Sequence, residues 1–447
     1  MRRASVDAIA KLGGDAGVPH LVRMLDDKSL EVRHHAILAL GASGSPDAIQ
    51  PLLAIMRRGH PREGAERISP IASAVAIVAL GLGQRAGFEE ATGELVAQRV
   101  RERSRSEREA IGCGAMLYQR LAPCAELEAL ALELAADHDE SPAVRCRAIE
   151  ALTSSHDPKV LAKLQHHLSA ARLDERRSAA LALGAIENPL ALPALQTAYE
   201  LEGEPLTRGF VLVSIGRRGG EVARKFLLDT AAKDDRGDRH WVALALGLLA
   251  RQQPDPAIPA VIRAALKREK SREVTGAYWL ALGLARDLES RGLLREALAS
   301  GADARARMYA ATALALIGDP ESALIVRDAM RTEPNASLRV AYASSLSQFG
   351  VDRDAPVISA AFRELKDPSL QGLAASALAF HGTRDALGSL REFAREDQAA
   401  SVPRAAAIEG LSIMLGSQRP YTFSEISRQA NYTVFSDWLK GMLQVSL

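Results

Sequence analysis

The segment Glu31 to Gly44, EVRHHAILALGASG, repeats its own spacing along most of the chain. Its frame is an Arg, small residues three and six positions on, Leu seven on, and Gly eight or eleven on. Aligned on the Leu or its substitute, the frame returns at Leu12, Leu40, Leu80, Ala115, Leu152, Leu183, Ile215, Leu246, Leu282, Leu314, Leu346, Leu378 and Leu411. From Leu152 onward the spacing is about 32 residues. A fixed period in that range means stacked supersecondary units, each unable to bury its apolar face alone. It also explains how 447 residues fold past the size at which one core stops growing.

Each unit holds two helical patterns, A and then B. Helix B carries the frame. Its small positions fall on one face, as in Ala36/Ala39, Ala148/Ala151, Ala179/Ala182 and Ala310/Ala313, and are expected to let helix A approach closely. Trailing glycines (Gly44, Gly318, Gly350, Gly382) suit helix C-terminal caps. Helix A often has Pro in its first turn, as at Pro19, Pro51, Pro193 and Pro259, where an N–H lacks an intrahelical partner anyway.

The segments 32–44, 176–186, 305–319 and 338–350 resemble HEAT repeats, in the short bacterial form related to those of phycobilin lyases. The resemblance implies an all-α fold, a right-handed α-α superhelix or α-solenoid of the HEAT and armadillo type. About thirteen units are expected over residues 1–416, followed by an aromatic-rich capping segment at 417–447. In that segment Phe435, Trp438, Leu439, Met442 and Leu443 have amphipathic helical spacing. Arg3 to Gly13 reads as a B helix without its A helix, so the protein is expected to extend upstream of Met1. An exposed loop is expected at 57–70, and a fully buried helix from Ile71 to Leu82.

Lys plus Arg number 56 against 55 acids, a net charge of +1 that supplies no general attraction to nucleic acid or membrane. The longest apolar run is too short for a bilayer span. Cys113, Cys124 and Cys146 form neither a disulfide framework nor a thiolate zinc site. A cytoplasmic monomer is expected, or an exported one if an upstream signal precedes Met1.

No catalytic constellation is legible, and neither a cofactor nor a metal is expected. The histidine pairs His34-His35 and His166-His167 lack the i,i+4 spacing of a helical metal site. The HEAT-repeat enzyme that hydroxylates deoxyhypusine uses repeated His-Glu pairs, and this chain has none. Gly81 to Gly87 follows a helix rather than a strand, so it is no dinucleotide loop. The run Arg99 to Arg108 interleaves acids and lacks aromatics, as a solvated helix end does. The repeat arginines are expected to pair with acids of the A–B turn or the next unit, such as Asp27, Asp137, Asp139, Asp174 and Asp303.

The resemblance implies a non-enzymatic scaffold that binds protein partners along the concave row of B helices. Positions one, two and five after the repeat Arg belong to that row. They include His34, His35, Leu38, Arg147, Glu150, Arg177, His240, Trp241, Met308 and Tyr309. Trp241 and Tyr309 are either exposed anchors or packing against the neighbouring B helix. The alternatives are a lyase or lyase-chaperone resembling the phycobilin lyases, and a nucleic-acid binder resembling HEAT-like DNA glycosylases. Both rest on fold analogy.

Overall fold

The computed structural model describes residues 2–29, 45–58, 125–155, 157–233, 237–299 and 303–395, with single positions 32, 33, 36, 37, 39, 40, 43, 116 and 119. The regular structure among them is entirely helical. The contacts divide the chain into two units, one up to Asn188 and one from Pro189. The first holds α1 (Arg2–Met24), α2 (Ile49–Arg58), α3 (Ala125–Ala136), α4 (Pro142–Ala151), α5 (Pro158–His167) and α6 (Leu173–Ala185). The second holds α7 (Ala191–Leu201), α8 (Pro205–Arg218), α9 (Gly220–Lys233), α10 (Arg239–Gln252), α11 (Ala257–Leu266) and α12 (Arg272–Leu284). It continues with α13 (Arg291–Ala299), α14 (Ala304–Ile317), α15 (Pro320–Thr332), α16 (Ala336–Phe349), α17 (Ala355–Glu364), α18 (Pro368–His381) and α19 (Arg384–Arg395). From α3 on, the odd helices are A and the even helices are B.

The helix boundaries follow from local chemistry. Ser141 Oγ accepts from Val144 N at the start of α4, Asp319 from Ser322 N at α15, and Asn335 from Leu338 N at α16. Each cap satisfies one of the N–H groups a helix start leaves free. Proline occupies the first turn of α4, α5, α8 and α15. Pro51, Pro193 and Pro259 fall early in α2, α7 and α11, as their spacing implies. Gly318 and Gly350 end α14 and α16 at φ of 77° and 66°, a left-handed conformation that a side chain would disfavour.

Within each unit the helix pairs stack, so each unit is an α-solenoid. In the second, α10 packs on α8 and α12, α14 on α12 and α16, and α18 on α16. In the first, α4 packs on α3 and α6. The position-six alanines of the frame meet the neighbouring B helix at close range. A Cβ on Gly216 would lie 2.8 Å from Ala245 Cα. One on Gly247 would lie 2.8 Å from Ala281 Cα, and one on Gly283 2.8 Å from Ala313 Cα. Position eight of one unit therefore meets position six of the next at backbone contact. Such close approach buries α10 and α14 over most of their length: every residue from Trp241 to Ala250 and from Met308 to Ile317 is buried.

Helix α1 departs from a simple rod. A Cβ on Gly17 would lie 3.0 Å from the Ile9 carbonyl oxygen. Residues eight apart in a straight helix are about 12 Å apart along the axis. The chain therefore doubles back between them, around Gly13-Gly14, where the sequence frame ends a B helix. Pro19 lies beyond that bend.

The single positions described around the founding repeat agree with its frame: Ala36, Ile37, Ala39 and Leu40 are buried. His34, His35 and Leu38 lie outside the described residues. So do the expected loop from residue 59 on, the helix Ile71 to Leu82, Gly81 to Gly87, the run Arg99 to Arg108, Cys113, Cys124 and the segment 417–447. Cys146 is a free, half-buried thiol whose pKa burial pushes up to about 11, leaving it protonated and unreactive at neutral pH. Among the described residues no helix is long and apolar enough to cross a membrane.

Candidate binding surface and clefts

The repeat arginine that opens α4, α8, α10, α14 and α16 reaches an acid one unit later. Arg145 Nη2 donates to Glu175 Oε2 at 2.9 Å. Arg208 grips Asp238 with two bonds, Nε to Oδ2 at 2.6 Å and Nη2 to Oδ1 at 3.0 Å. Arg239 pairs with Glu269 at 3.2 Å, Arg307 with Glu333 at 2.5 Å and Arg339 with Glu364 at 2.7 Å. The hydrogen bond from Arg208 to Asp238 is the main reason that the Arg208 guanidinium is raised above its usual range. The arginines are thus a structural ladder, as their place in the frame implies. Their partners are mostly not the aspartates named from sequence. Asp174 instead meets Arg177 on its own helix at 3.5 Å, and Asp303 caps α14 by accepting from Arg305 N.

A second ladder, not read from the sequence, joins the A helices. Arg224 donates to Asp255 at 2.5 Å, Arg263 to Asp287 at 2.5 Å, and Arg295 to Asp319 at 2.5 Å. Arg327 meets the fully buried Asp354. Each acid stands just before the next A helix, and some cap it: Asp255 also accepts from Ala257 N, Asp319 from Ser322 N. Hydrogen bonding from Arg224 holds Asp255 below the usual carboxylate range. Burial pushes the Asp354 carboxyl up, against the pull of Arg327. A signal existed in the sequence, an Arg within helix A and an Asp just before the next one, but only against a known A-helix register.

The expected concave row fares differently at each residue. Trp241, Met308 and Tyr309 are 2%, 8% and 1% exposed, so they pack within the chain. The reason is specific. Trp241 lies over Gly209, where an added Cβ would stand 2.7 Å from Trp241 Nε1. Tyr309 lies over Gly276, where it would stand 2.6 Å from Tyr309 Cε2. The aromatic at position two fills the space left by a glycine at position one of the preceding unit. Glu150 is also buried, accepting from Arg147 at 2.9 Å and from Ser178 Oγ at 3.2 Å. Arg147, Arg177 and His240 are half-buried.

Exposed aliphatics recur in register on three A helices, while Leu173 and Phe380 are exposed on the B helices α6 and α18. Val222, Val261 and Leu293 are 59%, 37% and 43% exposed. Each stands two residues before the ladder arginine of its helix, Arg224, Arg263 or Arg295. Leu324 on α15 is 50% exposed beside half-buried Ile325, which holds the equivalent position.

Each unit also has a cleft where the C-terminal ends of successive A helices stand apart over a rung of the B ladder. In the second unit the cleft has a volume of about 550 Å³ between α9 and α11. Val242 and Leu246 line it with Arg239 and Glu269. In the first unit it has about 570 Å³ between α3 and α5. Leu132, Ala135 and Ala162 line it with Arg145 and Glu175, and Lys163, His138, His166, His167 and Arg172 add polar groups. Burial holds His167 at a pKa of about 4, so it is neutral at pH 7. Among the described residues no three His, Cys, Asp or Glu side chains are grouped to hold a metal.

Residues 1–68 and 173–247 match the family of HEAT repeats. No curated protein sequence matches the chain. Among solved structures it is similar to yeast importin-beta, at 9% identity over 88% of this chain and 68% of that one, TM-score 0.43. It is also similar to the complex of CpcE and CpcF of phycocyanin lyase from Nostoc sp. PCC7120, at 19% identity over 58% and 96%, TM-score 0.37. Human deoxyhypusine hydroxylase in complex with glycerol is 20% identical over 57% and 96%, TM-score 0.28. The fold assignment rests on the helix stacking and the family match.

Proposed function

The chain carries HEAT repeats, and from that premise we propose that it is a non-enzymatic scaffold that binds protein partners. The observation that supports this reading is the recurrence of exposed aliphatic side chains, Val222, Val261 and Leu293, at one register position of successive A helices. Scattered exposed aliphatics are normal on any surface. A row repeated in register is what an extended apolar partner surface needs, since each contact is modest and the array adds them. The row replaces the concave B-helix groove, whose aromatics are buried.

The test combines Val222→Ser, Val261→Ser and Leu293→Ser in the full chain. These side chains are exposed, so stability should change by less than about 0.5 kcal/mol per site. Recovery of a partner, first identified by affinity purification with the unaltered protein, should fall at least about tenfold, a loss of about 1.4 kcal/mol in binding. A folded variant that recovers the partner at full strength overturns the assignment of this face.

A further inference from the structure

The second unit's cleft opens where small residues face each other. Ala231 and Ala232 stand in the last turn of α9, and Ala264 and Ala265 in the last turn of α11. With Leu228 and Val261 they form the accessible apolar wall, each of the six being half-buried or exposed. Val242 and Leu246 lie buried beneath them. The volume of about 550 Å³ is that of a small binding site, typically about 300–1,000 Å³. Val261, 37% exposed, stands both on this wall and in the A-helix row.

The charge at the mouth is one-sided. Arg268 lines the cleft and is exposed, and its guanidinium has no ion pair or hydrogen bond among the described residues. Lys267 and Lys270 beside it are exposed and equally unpaired. The two acids lining the cleft are already engaged. Asp238 is held by Arg208 and by the Tyr199 hydroxyl. Glu269 Oε2 meets Arg239, and its Oε1 accepts from Lys270 N at 2.9 Å and Ser271 N at 2.7 Å. The preceding A–B turn, Lys233 to Arg236, balances those two cations with Asp234 and Asp235 and leaves the excess unchanged. A basic ligand would meet like charge here, and a wholly polar one would leave the apolar wall uncovered. Building on the protein-binding reading, we propose that the cleft seats an aliphatic side chain of an acidic partner segment lying on the A-helix row. The aliphatic group covers Leu228 and Val261 and removes apolar surface from water. A neighbouring Asp or Glu of the partner meets Arg268 and Lys267.

The experiment uses the full chain and three labelled peptides read by fluorescence anisotropy. The first is Gly-Asp-Glu-Leu-Leu-Asp-Glu-Gly. The second replaces both Leu by Ser, and the third replaces each Asp by Asn and each Glu by Gln. The first should bind, and the second should bind at least about tenfold more weakly for want of apolar burial. The third should bind several-fold more weakly than the first, and added salt should bring the first toward the third. Ala264→Trp fills the cleft and Arg268→Glu reverses its mouth. Both positions are exposed, so both variants should keep the parent's thermal melt and weaken the first peptide several-fold. Lys366→Glu, an exposed charge reversal remote from the cleft, should bind as the parent does. No binding of the first peptide, equal binding of the first and second, full-strength binding by folded Ala264→Trp, or an equal loss in Lys366→Glu overturns the proposal. Its failure is distinct from failure of the A-helix row. If Ala264→Trp binds the peptide at full strength while the triple A-helix variant loses the partner, the cleft falls and the row stands. If Ala264→Trp and Arg268→Glu lose the peptide while the triple variant recovers the partner in full, the row falls and the cleft stands.

Discussion

Trp241 over Gly209 and Tyr309 over Gly276 are paired choices of residue one unit apart. Trp241→Ala should cost about 3–5 kcal/mol, as deletion of a buried aromatic does. Gly209→Ala should cost about 1–3 kcal/mol by overpacking the same contact. Because the two residues touch, the double variant should be less destabilised than the sum of the singles. Urea unfolding of the three variants measures this, and strict additivity would show that the contact carries no energy. His167 supplies a pH dependence. Its pKa falls from an ordinary 6.5 to about 4 on folding, so the unfolded chain binds more protons between those values. Stability therefore rises with pH through that window and is lost as pH falls from 6.5 toward 4. Hydrogen-exchange protection factors, corrected for the intrinsic pH dependence of exchange, should fall across residues 158–185 as pH drops over that range, and His167→Gln should remove the added slope.

At the scale of the element, the glycines sort into two kinds. Gly247 and Gly283 face the backbone of the next B helix, where a Cβ has no room. Gly247→Ala or Gly283→Ala should force α10 from α12, or α12 from α14, at a cost of about 1–3 kcal/mol. Gly292 on α13 has nothing within 4 Å of an added Cβ and no positive φ. Gly292→Ala should instead stabilise by about 0.5–1 kcal/mol, through lower entropy of the unfolded chain. Thermal melts distinguish the two signs, and a loss at Gly292 equal to that at Gly247 would refute the seam. The existence of the helices was legible because each carries its own start and stop chemistry. The small positions of the frame were also legible as packing positions. Which neighbour they face was not, since small residues at this spacing suit an A partner and a B partner equally.

At the scale of the whole molecule, the second unit is bonded chiefly between neighbouring repeats, by B–B seams and by two arginine ladders. Stability in such an array is close to a sum of repeat and nearest-neighbour terms. Overpacking one seam should therefore act locally. Ala313→Leu, which pushes α14 against α12 at Gly283, should quicken hydrogen exchange from residue 272 to 349. Exchange in α18 and α19 should stay near that of the parent. Uniform loss of protection across the second unit would mean that it unfolds as one cooperative block. The ladders belong to the same scale. Arg208→Ala strands the buried Asp238, so it should cost about 3–5 kcal/mol. Arg363→Ala, at a pair exposed on both sides, should cost about 1 kcal/mol or less.

The amino-acid sequence by itself determined the all-α class, the period, the helix ends and the structural role of the repeat arginines. All of these follow from local spacing, capping chemistry and a frame that recurs. Only the tertiary structure decided which acids the arginines meet, that Trp241 and Tyr309 are core, and that exposed aliphatics recur in register on successive A helices. Those outcomes depend on the register of one repeat against the next. A glycine at position one of the preceding unit turns an exposed aromatic into a buried one, and Gly216, Gly247 and Gly283 bring successive B helices to backbone contact. The chain's local pattern is the same on either side of that decision, so distance in space, and not spacing in sequence, makes it.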